Sequence, residues 1–204
     1  MDKSTVDFYD RHAARIAQRY DLAQVDSLHT LLRRWIPSGS QVLEIGCGSG
    51  RDARFLACQG CQVTATDASC ELLAHARSLS DSPENPEYLQ RMYPLEQNDP
   101  LLQRKFDVVL AIAVLMHIPE RELAGFYANL RTLTRKGGLA ICTVRDGSAR
   151  SASDADDPRL YVQRDIETIK GALESHGFSL LQHDRYADGL GRATIAWETL
   201  VLQG

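Results

Sequence analysis

No stretch of this 204-residue chain is apolar for long enough to cross a bilayer. Met1 to Tyr20 carries Asp2, Lys3, Asp7, Asp10, Arg11, Arg15 and Arg19, with no apolar segment of the kind a secretory signal needs. Cysteine is scarce and odd in number, at Cys47, Cys58, Cys61, Cys70 and Cys142, which does not suit a disulfide scaffold. A cytoplasmic, reduced protein without membrane association is therefore expected. An excess of positive charge is missing too. With 23 basic against 27 acidic residues, the net charge of -4 gives no general attraction to phosphate backbones or anionic lipid, and disfavours nucleic acid as a partner. Cys58 and Cys61 match C-x-x-C, but they straddle a helix end at Gly60, where no helix start lowers a thiol pKa. No second Cys/His pair lies nearby, so no metal site is expected. Repeats and internal linkers are also lacking, and residues 1–204 are expected to form one domain.

What the chain does have is hydrophobic periodicity. Val6, Phe8, Tyr9, Ala13, Ile16, Ala17 and Tyr20 predict one amphipathic helix over residues 5–20, and Leu28, Leu31, Leu32 and Trp35 a second over 28–35. Residues 1–36 are thus a helical N-terminal segment. From residue 41 the period alternates. Strands are predicted at 41–45, 61–66, 88–91, 106–113 and 139–144, with helices at 51–58, 69–79, 119–133 and 164–175 between and after them, and a turn at Lys136-Gly137-Gly138. Two closing strands, 178–185 and 194–202, are joined too closely to be parallel. The pattern predicts an α/β fold: a doubly wound, mainly parallel seven-stranded sheet ending in an antiparallel hairpin. The polar stretch 146–159 is predicted to be a mobile loop over the ligand-binding edge of that sheet.

The chemistry concentrates at the first strand. Val42-Leu43-Glu44-Ile45 runs into Gly46, Gly48 and Gly50, and a helix follows from Arg51. Glycine allows a tight turn and close approach of a ligand to the backbone. The helix start adds free N–H groups and partial positive charge. Asp67 closes the next strand, where in doubly wound sheets a carboxylate accepts from both ribose hydroxyls of a nucleotide. The dinucleotide fingerprint G-x-G-x-x-G is not met, because Arg51 stands at its sixth position. A ligand ending in an amino acid fits better. Arg51 can hold its carboxylate and Glu44 its ammonium.

These residues resemble class I S-adenosylmethionine-dependent methyltransferases, and especially the small-molecule type 11/12 group. Val42 to Gly50 resembles the family's first motif, and Val63-Thr64-Ala65-Thr66-Asp67-Ala68-Ser69 its ribose-binding segment. Phe106 to Val109 with Leu115-Met116-His117-Ile118-Pro119 resembles its fourth strand and the loop beyond. Leu130-Arg131 through Lys136-Gly137-Gly138-Leu139 resembles the approach to its fifth strand. The resemblance implies a Rossmann-like methyltransferase fold with S-adenosylmethionine as cofactor and no metal. It implies methyl transfer by direct displacement to a small-molecule acceptor. The residues implied at the cofactor are Tyr20, Glu44, Gly46, Cys47, Gly48, Gly50, Arg51, Asp67, Ala68, Met92 and Ala111. Relatives often carry an acid after strand three that meets adenine; Gln90-Arg91-Met92 has none, which leaves backbone near Met92 for that role. His117, just past strand four, is the candidate general base, its ring titrating near neutral pH. Tyr9, His12 and Tyr161 join it as expected acceptor-pocket residues. A non-catalytic S-adenosylmethionine-binding protein and a nicotinamide-dependent reductase are the alternatives; Arg51 and the terminal hairpin disfavour the second.

Overall fold

The computed structural model describes residues 2–82, 84–146 and 158–204. Most of the expected 146–159 loop lies outside the described residues. Seven strands form one sheet: β1 (Gln41–Ile45), β2 (Gln62–Asp67), β3 (Glu87–Gln90), β4 (Phe106–Ala111), β5 (Thr134–Asp146), β6 (Ser179–Ala187) and β7 (Ala196–Gln203). Their order is β3-β2-β1-β4-β5-β7-β6. The first five run parallel, and β7 is antiparallel to both β5 and β6, giving the expected terminal hairpin. The order reverses between β1 and β4, so the crevice for ligands opens at their carboxyl ends.

Helices cover both faces, which is why β1 and β4 are buried almost throughout. On one face, α6 (Leu123–Leu133) and α7 (Ile166–Ser175) bury Phe126, Leu130, Ile169 and Leu173 against Leu43, Val109 and Ala140. On the other, α3 (Asp26–Trp35), α4 (Arg51–Cys58) and α5 (Cys70–Ser78) bury Leu32, Leu56 and Leu73 against Val42, Val63 and Leu110. Among the described residues, no helix is long and apolar enough to cross a membrane.

The N-terminal segment departs from expectation. It forms two helices, α1 (Lys3–Arg11) and α2 (Ala13–Asp21), with His12 between them at φ -117° and ψ 14°. A straight helix would set the Cα atoms of Tyr9 and Tyr20 about 16 Å apart. The break instead folds both apolar faces around Leu72 of α5 and brings the two tyrosine hydroxyls to 3.4 Å. A second departure is at Lys136-Gly137-Gly138. Strand pairing there begins at Thr134, and the glycine pair is taken up as an irregularity opposite Phe106 and Val108 rather than as a turn before the strand. A Cβ at Gly138 would lie 2.8 Å from the Asp107 carbonyl, so only glycine lets the strand pass that close.

Candidate active site

A cavity of about 870 Å³ opens at the carboxyl ends of β1, β2, β4 and β5, with α1, α2 and the β6–β7 turn closing its sides. Its first wall is the turn after β1. Gly46, Gly48 and Gly50 all take left-handed φ, at 70°, 55° and 75°. Their surroundings are of two kinds. A Cβ at Gly46 would strike Val114, and one at Gly50 would strike Tyr88 and Ala76 inside the protein, whereas one at Gly48 would meet the Tyr20 ring at 3.3 Å on the cavity side.

Asp67 is bound into this turn. Its two carboxylate oxygens accept from the backbone N–H of Gly48 at 2.8 Å and of Ser69 at 2.9 Å. Each oxygen keeps a further lone pair for a ligand hydroxyl. Burial pushes the Asp67 pKa up, against the pull of those N–H bonds. Glu44 lies beside it, 2% exposed, and its Oε2 has no hydrogen-bond partner. Burial raises its pKa well above the ordinary carboxylate value, and the charges of Asp52 and Asp67 raise it further. A buried, unpartnered carboxylate oxygen is costly unless a ligand satisfies it.

Arg51 lines the cavity and is also bonded within the protein. Its guanidinium forms a fork with Asp52, at 2.9 and 2.8 Å, and its remaining Nη1 donates to the Tyr20 carbonyl at 2.9 Å. Asp52 is buried, and bonds from His29 and Arg51 outweigh burial and hold its pKa at about 2. Arg51 thus fastens α4 to the end of α2. Asp21 does the same from the other side, accepting from Ser49 Oγ at 2.8 Å and from Arg54 at 3.0 Å.

Beyond the turn lies an aromatic region. Tyr9 Oη is 3.0 Å from His117 Nε2, and His117 Nδ1 is 2.6 Å from the Leu160 carbonyl. A carbonyl only accepts, so Nδ1 carries a proton and Nε2 of the neutral ring accepts from the Tyr9 hydroxyl. His117 sits in a short 3-10 helix, Leu115–His117, just past β4, and is 4% exposed. Burial first, then the neighbouring tyrosines Tyr20 and Tyr161, raise the Tyr9 pKa well above 10.0. The segment 158–162 is laced across this region: the Leu160 N–H donates to Thr5 Oγ1 at 2.7 Å, and the Val162 N–H to the Met116 carbonyl at 2.8 Å.

The expected site residues divide accordingly. Tyr9, Tyr20, Glu44, Gly46, Cys47, Gly48, Arg51, Asp67, Ala68, His117 and Tyr161 line one cavity. Gly50 lies behind the turn, against Tyr88. Ala111 is fully buried in β4, Met92 is 53% exposed, and His12 packs edge-on against Phe8; none of these three lines the cavity. Sequence reasoning missed the far wall: Thr143 and Arg145 on β5, Arg159, and Tyr186, Asp188, Arg192 and Trp197 around the terminal hairpin. Asp188 gathers that turn, accepting from the Trp197 indole at 2.9 Å and from both Arg192 Nε and Nη2 at 2.9 and 2.7 Å. The arginine and tryptophan bonds overcome burial and hold the Asp188 pKa far below the usual range. No short motif marks these positions. The signal they do carry is a cluster of Arg, Trp and Asp in an otherwise strand-like segment.

Fold and site together define a Rossmann-like class I architecture with its pocket at the switch point. The chain belongs to the methyltransferase-domain family, whose model matches residues 9–183. It is similar to a ubiquinone biosynthesis O-methyltransferase of Rhodopseudomonas palustris, 30% identical over 129 residues, which are 62% of this chain and 48% of that protein. A ubiquinone biosynthesis O-methyltransferase of Acinetobacter baumannii is 27% identical over 184 residues, 85% of this chain and 75% of the other. The chain thus spans about half the length of the first relative and three quarters of the second. Among solved structures, magnesium protoporphyrin IX methyltransferase from Synechocystis PCC 6803 with bound S-adenosylhomocysteine shares the fold, with a TM-score of 0.73 at 18% identity over 99% of both chains.

Proposed function

We propose that this chain is an S-adenosylmethionine-dependent methyltransferase acting on a small-molecule acceptor, with residues 1–36 as the cover of a single catalytic domain. The observation that carries this reading is the pairing of Glu44 and Asp67 at the glycine turn. A buried carboxylate with an unpartnered oxygen suits a ligand ammonium. A second carboxylate fixed by two backbone N–H groups suits a pair of ribose hydroxyls. The buried Glu44 carboxyl, with its unpartnered oxygen, also argues against a dinucleotide, because it accepts hydrogen bonds and so does a pyrophosphate. Gly48 leaves the space in which Tyr20 can cover the ligand.

When bound, the cofactor supplies a methyl carbon already activated for displacement. The chain's part is to align an acceptor with it and to take up any proton the acceptor loses. The Tyr9–His117 pair serves the second task. A proton received by Tyr9 Oη is balanced by passage of the tyrosine's own proton to His117 Nε2, while Nδ1 stays bonded to Leu160. Arg51 and Asp21 hold the turn and α2 together around the pocket.

Thermal unfolding tests this. At about 100 times its dissociation constant, S-adenosylhomocysteine should stabilise the protein by about 2.7 kcal/mol, and NAD(H) should not. Stabilisation by NAD(H) alone overturns the assignment.

A further inference from the structure

The first two helices are held differently from the rest of the molecule. α1 and α2 have nine residues each, too few for a stable helix alone. Their buried apolar residues, Ala13, Ile16 and Ala17, form with Leu72 a small cluster apart from the two larger cores on either face of the sheet. A unit with so little apolar packing opens at less cost than the whole fold. Polar bonds close it, and two acids carry them onto the two turns of the proposed cofactor site. Asp10 Oδ1 accepts from Ser69 Oγ at 2.6 Å and from the Glu71 N–H at 3.3 Å. Ser69 is the residue whose own N–H holds Asp67. Asp21 Oδ1 accepts from Ser49 Oγ and from Arg54, and its Oδ2 lies 3.2 Å from His75 Nε2. Ser49 stands between Gly48 and Gly50, and Arg54 also donates to its carbonyl at 2.6 Å. Tyr20, next to Asp21, has its ring over Gly48. Past Asp21 the chain is anchored again at Gln24, whose N–H donates to the Gly189 carbonyl at 3.0 Å. Leu22 and Ala23 are left as the joint. On the other flank Tyr9 meets His117, and Thr5 Oγ1 accepts from the Leu160 N–H.

We propose that Asp10 and Asp21 are positioning residues that pin residues 3–21 over the cofactor, and that release of these two pins, with the helices turning about Leu22 and Ala23, admits and frees it. This rests on the methyltransferase reading of the glycine turn. One motion then does two things. Opening lifts Tyr20 from Gly48 and parts Tyr9 from His117, so the pair that takes the acceptor's proton is assembled only while the cofactor is shut in. Neither acid lines the cavity, so neither touches the ligand. Removing a pin loosens the closed state with and without ligand alike. Entry and exit should therefore both speed up while affinity changes little.

Exchange of labelled S-adenosylhomocysteine tests this. In Asp21→Asn and in Asp10→Asn, association and dissociation should each quicken about tenfold, the worth of one hydrogen bond to a charged group, with the dissociation constant within a few-fold of the parent. Damage to the site itself would raise dissociation alone. Unchanged dissociation, or dissociation that quickens without association, overturns the proposal. A lock should have the opposite sign. Cys70 Sγ lies 3.8 Å from Asp10 Oδ1, so a cysteine at position 10 would stand within bridging reach of it. The protein carrying Asp10→Cys also takes Cys58→Ser, which removes the other exposed thiol. Oxidation should join position 10 to Cys70 and slow both rates about tenfold or more below the parent, and reduction should reverse this. Failure of the bond to form, or exchange as fast with it as without it, overturns the proposal. If S-adenosylhomocysteine does not bind the parent, the methyltransferase reading falls instead. Trypsin then tests the pins, cutting after the exposed Arg15 and Arg19 faster in Asp21→Asn than in the parent and slower in the oxidised variant. Equal cutting in all three overturns them.

Discussion

At the glycine-turn end of the cavity, polar side chains come from the ends of adjacent parallel strands and are fixed by backbone. Asp67 is held by two N–H groups of its own and the neighbouring turn, and Glu44 is buried next to the carboxyl end of β1. At the Tyr161 end, nothing comes from one place. Tyr9 arrives from α1, His117 from the turn after β4, Arg145 from β5, and Arg159 and Tyr161 from the segment before α7. They are joined side chain to side chain, as between Tyr9 and His117, or side chain to a distant carbonyl, as between His117 and Leu160. The first kind of site has its geometry set by the sheet and suits a constant ligand. The second is set by packing of long side chains, and it can change its ligand by changing residues without disturbing the sheet.

The strongest way to sharpen this contrast is to damage one end at a time. His117→Ala should lower turnover by about 10²–10⁴-fold if the pair takes the acceptor's proton. Affinity for S-adenosylhomocysteine should stay within a few-fold, because the glycine turn is untouched. Tyr9→Phe should give a loss of similar size, since residues acting as one relay are not additive. Turnover within about threefold of the parent in both variants would make the pair a pocket wall only. The converse change is Asp67→Ala. It removes ribose contacts and leaves the N–H groups of Gly48 and Ser69 without their acceptor. Cofactor affinity should fall roughly 10–100-fold, with a loss of stability as well. Unchanged affinity would reduce Asp67 to a turn residue.

Glu44 offers a smaller effect with a definite sign. Its folded pKa is raised, so the folded state holds its proton more tightly than the unfolded chain does. Relative to Glu44→Gln, the ligand-free protein should therefore lose stability as pH rises from the ordinary carboxylate range through the raised value. A ligand ammonium beside Glu44 favours the ionised form, so binding of S-adenosylhomocysteine should release a proton wherever Glu44 is still protonated. Calorimetry in buffers of different ionisation enthalpy measures that release. Glu44→Gln should abolish it and weaken binding about tenfold. Proton release that persists in the variant would place the titrating group elsewhere.

The two ends were not equally legible in the sequence. Gly46, Gly48 and Asp67 declare themselves because strand, glycine turn and strand-end acid have fixed spacing in any doubly wound sheet. The mainly parallel sheet followed from the same alternation and the closing hairpin from its short connection, whereas the order of strands across the sheet is seen only in the structure. Arg51 was visible, but its bond to Asp52 was not, because spacing alone does not show that the adjacent acid takes its fork. The break at His12 was hidden because the apolar period continues across it, and the fold imposes the bend through packing on Leu72. Arg145, Asp188, Arg192 and Trp197 lie far apart in sequence from the turn they face, and only tertiary packing gathers them at the cavity.

The smallest predicted effect tests where backbone strain is stored. At the cofactor end every left-handed residue is glycine, which pays no steric penalty there. Among the described residues the left-handed exception to glycine is Ala113, at φ 58°, between β4 and the turn that carries His117. Its N–H donates to Thr143 Oγ1 on β5 at 2.8 Å, a bond that fixes this conformation. Holding an L-residue left-handed costs roughly 1–2 kcal/mol. Glycine removes that cost but brings back about 0.5–1 kcal/mol through the greater freedom of the unfolded chain. Ala113→Gly should therefore stabilise the protein by about 0.5–1 kcal/mol, a rise in melting temperature of roughly 1–4 °C for a chain of this size. Affinity for S-adenosylhomocysteine should not change. Turnover should fall a few-fold, because glycine loosens the aim of His117 four residues on. A destabilised variant would mean that the alanine methyl packs well enough at the cavity wall to outweigh the strain. A stabilised variant with undiminished turnover would mean that the strain has no part in holding His117.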